Sequence, residues 1–162
     1  MKDVLVYIKV SRYIQTWLAS TLGNPVRFPA SSYENAVLHH ALRRRPSGMP
    51  PELPAVGMVG IVIPDSSARR PEFYNYLGRR GQRMMQEAIE HLFRMHLWSD
   101  CRHLIGTSLL EAGLDEWCKR HGIAIENREA VRKKFYRMRK AYQRYGVILG
   151  KKYNVKECHV SG

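Results

Sequence analysis

Apolar and polar positions recur along this chain with different periods in different segments, and the period decides which element each segment forms. Residues 3–10 (DVLVYIKV) are dense in Val, Ile and Tyr over a short run, which predicts a strand. Ser11 is placed to cap a following helix with Ile14, Trp17, Leu18 and Leu22 on one face, stopped at Gly23-Asn24-Pro25. An extended piece from Pro25 to Phe28 leads to Ser31-Ser32-Tyr33-Glu34, which has the form of a capping box. The helix it opens is expected to bury Val37, Leu38, Ala41 and Leu42 and to end in Arg43-Arg44-Arg45-Pro46. Four prolines and a glycine in residues 46–54 predict an irregular crossing. Val56 to Ile63 reads as a second strand, with Gly57 and Gly60 marking a bulge or a close backbone approach. The following PDSSARRPEFYNYLG reads as a loop with at most one helical turn.

Beyond it the period becomes helical. Residues 79–98 place Met84, Met85, Ala88, Ile89, Leu92, Phe93 and Met95 on a broad apolar arc, predicting a long central helix. Ser108-Leu109-Leu110-Glu111 is a second capping box, followed by Leu110, Leu114 and Trp117 at helical spacing up to Gly122. Residues 127–145 set Val131, Phe135, Met138, Tyr142 and Tyr145 on one narrow stripe. Residues 147–155 read as two very short strands around a Gly150-Lys151-Lys152 tip. The expectation is an α+β protein with a short N-terminal sheet and a helical C-terminal part. It is organised either as lobes 1–78 and 79–162 or as one continuous domain.

Charge changes this picture most. The 162 residues hold 27 Lys and Arg against 14 Asp and Glu, a formal net charge of +13, and such a field attracts polyanions, of which nucleic acid is the commonest in a cell. The excess is concentrated in 127–145, where eight cations face one acid, Glu129. Ordinary surface helices intersperse the two signs. Three cysteines, an odd number, argue against a secreted disulfide framework. With neither a secretory-type leader nor a stretch of roughly 18 apolar residues, a cytoplasmic protein without a membrane partner is expected.

Helix 108–121, the turn in Arg120-His121-Gly122-Ile123, and helix 127–145 together resemble the helix-turn-helix of DNA-binding proteins, over about a quarter of the chain. The connection Gly122–Glu126 exceeds the usual three or four residues, which favours a looser tri-helical or winged variant with Lys151 and Lys152 on the wing. The resemblance implies that the basic helix enters the major groove of duplex DNA, favoured over RNA, and that the protein is a regulator or accessory factor. Arg132, Lys133, Tyr136 and Arg137 would then reach base edges. Arg128, Arg139, Lys140, Arg144, Lys151 and Lys152 would meet phosphates. A homodimer through the mixed N-terminal portion is compatible with this arrangement.

Other features carry less. Cys101-x-His103, Cys118-x-x-His121 and Cys158-His159 offer zinc-type ligands but no paired knuckle, so no metal or other cofactor is expected. Tyr74 and Tyr76 beside Arg69-Arg70 suit either a base-stacking platform or a loop anchor. His91-Leu-Phe-Arg94 is an HxxR pair similar to that of tyrosine recombinases, but no nucleotide loop, nucleophile elbow or zinc-protease motif is present, and no enzyme is expected. Two alternatives stay open: an RNA- or ribosome-associated binding module, and a strand-transfer enzyme using His91, Arg94 and a tyrosine.

Overall fold

A computed structural model describes residues 2–144. The chain is a mixed α+β fold: β1 (Leu5–Lys9), α1 (Arg12–Leu22), α2 (Tyr33–Ala41), β2 (Arg43–Arg44), β3 (Met58–Val62), β4 (Tyr74–Tyr76), α3 (Arg79–Cys101), α4 (Leu110–Arg120) and α5 (Ile125–Arg144). The lobes were expected to divide at 78/79. Two compact units divide instead at Leu92/Phe93, inside α3. Among the described residues no helix is long and apolar enough to cross a membrane. The hairpin expected at 147–155, with Lys151 and Lys152, lies outside the described residues.

In the first unit β1 and β3 pair antiparallel, with Val6 opposite Ile61 and Ile8 opposite Val59. All four side chains are buried on one face, the alternation that a half-buried strand requires. A Cβ at Gly60 would sit 3.2 Å from the Tyr7 ring, so a side chain there would need that ring to give way slightly. The outer edge of β3 is bridged by Val26, whose N–H donates to Gly60 O at 2.8 Å and whose carbonyl accepts from Val62 N at 2.9 Å. The outer edge of β1 is covered by side chains. Gln82 Nε2 donates to Tyr7 O at 2.8 Å and Gln86 Nε2 to Lys9 O at 2.9 Å, one helical turn apart on α3. Trp17, Leu18, Leu38, Met85 and Ile89 complete this core.

Five local expectations need correction. Ser32, not Ser31, is the N-cap of α2: its oxygen accepts from Asn35 N at 3.2 Å. The Ser108 capping box does not form, because α4 starts at Leu110 behind Leu109, whose N–H donates to Thr107 Oγ1 at 3.2 Å. Arg43-Arg44 is not the tail of a helix. The chain turns extended at Leu42, and these residues become β2, antiparallel to β4. Tyr74–Tyr76, expected in a loop, therefore forms a strand. The pairing is fastened by Arg45, whose Nε donates to Asn75 Oδ1 at 2.9 Å and Nη2 to Asn75 O at 3.0 Å. Ser11 occupies the first cap position of α1 without a side-chain capping bond; Gln15 Nε2 reaches back to Val10 O at 2.8 Å instead.

The second unit is helical. Phe93 meets the Trp117 ring edge-on at 5.7 Å, and Trp117 Nε1 donates to Asp100 at 2.9 Å, so the buried indole keeps its polar end satisfied. Trp98 stacks against Phe135 at 5.3 Å and Tyr142 at 4.8 Å. The capping register is directly testable: Ser32→Ala is expected to cost about 1 kcal/mol in urea unfolding, and Ser31→Ala less than about 0.5 kcal/mol.

Candidate nucleic-acid interface

The helix with the largest excess of cations is held by a turn with its own logic. Gly122 adopts φ +69°, the left-handed region open to glycine. Its N–H donates to Lys119 O at 3.1 Å, and the next, Ile123 N–H, donates to Cys118 O at 2.9 Å. These two bonds are a Schellman closure of α4, and Ile123 is buried as that closure favours. The connection His121–Ala124 is four residues, shorter than the expected Gly122–Glu126, because α5 begins two residues earlier than the apolar stripe suggests.

From this start the stripe docks inward. Val131 and Phe135 are fully buried, while Met138 and Tyr142 are partly buried. One border of the stripe faces α4. There Arg132 donates through Nη2 to Asp115, lies 4.0 Å from Glu111 Oε2 through Nε, and reaches Glu129 Oε2 at 3.4 Å through Nη1. Only 27% of its side chain is exposed. The hydrogen bond to Asp115 holds its guanidinium charged beyond the usual arginine range. Tyr136 donates its hydroxyl to Glu111, which pushes the phenol above its ordinary value. Arg139 lies over the Tyr136 ring at 5.1 Å. Arg128 Nε donates to Ile123 O at 3.4 Å. Arg132 was expected to be outward-facing; it is instead clamped to the neighbouring helix. A sequence signal for this existed, since Glu111 and Asp115 stand four apart on α4 and so share its face.

The other side of α5 is different. Lys133, Arg137, Lys140 and Arg144 follow one another at spacings of four, three and four, and all are exposed. Among the described residues no carboxylate lies within ion-pair distance of any of the four. Of the eight nucleic-acid candidates among the described residues, this row is the set with unengaged charge. Arg128, Arg132, Tyr136 and Arg139 are drawn toward α4 and the turn.

Among the described residues no group of three or more His, Cys, Asp and Glu is placed to hold a metal ion. Burial pushes the Cys101 thiol up to about 12 and the Cys118 thiol up to about 11. Burial also lowers His121, whose ring lies 4.5 Å from Trp117. Cys158 and His159 lie outside the described residues. His91 and Arg94 are both exposed on α3.

The first unit holds a second cationic cluster. Arg43 Nη1 donates to His40 O at 2.9 Å and Arg69 Nη1 to His39 O at 2.6 Å, so both cap carbonyls at the C-terminal end of α2. Arg69 and Arg44 lie over the Tyr74 ring at 5.9 and 5.5 Å, and Arg45 lies over Tyr76 at 5.9 Å. The sequence reading gave no role to Phe73, which Arg44 also covers at 5.6 Å. No protein-family model, curated protein or solved structure matches this chain.

Two outcomes follow from this geometry. Arg132→Met should destabilise the protein by about 1 kcal/mol in urea unfolding, whereas Lys133→Met stays within about 0.5 kcal/mol of wild type. In a Cys158→Ser background the two remaining thiols should react with a maleimide on the order of 100-fold more slowly in native than in denatured protein at neutral pH.

Proposed function

We propose that α5 binds duplex DNA along its outer cationic row, making the protein a DNA-binding regulator or accessory factor. The observation that carries this reading is the row Lys133, Arg137, Lys140 and Arg144, exposed and unmatched by any described carboxylate. A helix about 10–12 Å across with its side chains fits the major groove. Cations spaced three and four residues apart then run along one line and follow the groove wall. Lys133 and Arg137, nearer the N-terminal half, are the candidates for guanine O6 and N7. Lys140 and Arg144 supply phosphate contacts, joined by the edge of Arg139. The four-residue connection His121–Ala124 supports a helix-turn-helix reading, in which α4 braces α5. In this arrangement Arg132 and Tyr136 do not read bases. They set the roll of α5 by binding Asp115 and Glu111, and that roll points the outer row away from α4.

The test is a quadruple variant, Lys133→Glu, Arg137→Glu, Lys140→Glu and Arg144→Glu, measured by fluorescence anisotropy on labelled duplex DNA. Wild type should bind with a log–log salt slope of about −2 to −3, roughly −0.9 for each phosphate neutralised by Lys140, Arg144 and Arg139. The variant should lose at least about 100-fold in affinity while keeping its helical circular dichroism. Unchanged duplex affinity, or displacement of the duplex by structured RNA at far lower concentration than by unlabelled DNA, would overturn the reading.

A further inference from the structure

We propose that the β2–β4 ribbon of the first unit, with Phe73 at its edge, is a separate binding site for single-stranded nucleic acid. The inference stands apart from the duplex reading of α5, since it uses other residues in the other unit.

Phe73 is a large apolar ring held in solvent, 52% exposed. It is not a frayed loop side chain. Its N–H donates to Arg70 O at 3.0 Å and its carbonyl accepts from Arg45 N at 3.4 Å. The neighbouring Asn75 amide donates to Pro71 O at 3.0 Å and Glu72 O at 3.1 Å, closing the loop around it. These bonds fix the backbone at residue 73, so a ligand that stacks on the ring does not have to order the loop first. Beside it the exposed Arg44 spans the Phe73 and Tyr74 rings at 5.6 and 5.5 Å, so a guanidinium plane and two aromatic rings form one surface. Bases stack on aromatic rings and on guanidinium planes irrespective of sequence.

The charge around this surface selects the occupant. Residues 34–52 and 65–87 contain eight arginines and five acids, Glu34, Glu52, Asp65, Glu72 and Glu87. Glu72 is matched to Arg70 at 3.6 Å. Arg43, Arg44, Arg79, Arg80 and Arg83 are exposed, and among the described residues none has a carboxylate within ion-pair distance. Arg43 and Arg80 also border a cleft of about 300 Å³ with His40, Gly78 and Gly81. An apolar peptide would leave these cations uncompensated, and a duplex hides its base faces. A single strand offers both an unstacked base for Phe73 and a phosphate for Arg44.

The experiment measures anisotropy of labelled 12-mers of oligo(dT) and oligo(U) with the full chain, with circular dichroism to verify folding. Phe73→Leu, which keeps bulk and removes the ring, should weaken binding about 5- to 100-fold, and Arg44→Ala should weaken it similarly. Binding of one oligomer over the other assigns the site to DNA or RNA. In the α5 quadruple variant this Phe73-dependent binding should persist while duplex affinity is lost, so the two proposals fail separately. Should Phe73→Leu not fold, Phe73→Trp gives the same information. Its added indole emission should be quenched on titration with oligo(dT) or oligo(U) relative to wild type. Single-strand affinity unchanged in Phe73→Leu, an unquenched Phe73→Trp, or binding lost only when α5 is reversed would each overturn the proposal.

Discussion

The roll of α5 about its own axis is the constraint on which the second unit depends. Phe135 and Tyr142, seven residues apart, both lie against Trp98, which fixes the inward line of the helix. A line of apolar contacts alone tolerates some rotation, because dispersion and burial have little directional preference. The Arg132 clamp on Asp115 and the Tyr136 bond to Glu111 do have direction, and they remove that freedom. Two kinds of interaction therefore divide the work. Burial supplies most of the adhesion, and charged hydrogen bonds at the border select one orientation out of several that bury similar area.

Arginine serves three purposes in this chain, and only one of them leaves charge available to a partner. Arg43 and Arg69 satisfy carbonyls at the end of α2, where the helix leaves acceptors without intrahelical donors. Arg45 ties β2 to Asn75, using its planar fork for two bonds at once. Arg132 turns the same fork on carboxylates of α4, while Arg44, Arg79, Arg80, Arg83, Arg137 and Arg144 stand in solvent. A net charge of +13 is thus a poor measure of the surface that a polyanion meets, because several guanidinium groups are already engaged by the fold.

The long-period features of the fold were legible from the sequence. β1, β3 and all five helices declare themselves by alternation or by three-four spacing, since each buries a face of its own. What was illegible is non-local. β2 and β4 are two and three residues long and pair across about thirty positions, through an Arg45–Asn75 bond that no window of sequence contains. The spacing to Glu34 pointed to Ser31 as the α2 cap, but either hydroxyl has the needed chemistry and the backbone register puts the cap at Ser32. The candidate interface was half legible. The cations of α5 follow from composition, but which are consumed depends on acids seventeen and twenty-one positions away on α4.

The glutamine pair on α3 has a consequence for how copies of this chain can meet. Strands with unpaired outer carbonyls invite β-augmentation, the route by which exposed edges join into dimers or fibrils. Here Gln82 and Gln86 already occupy two acceptors on the outer margin of β1. An incoming strand would have to displace both amides to complete a ladder along Tyr7–Lys9, which makes recruitment from that side costlier.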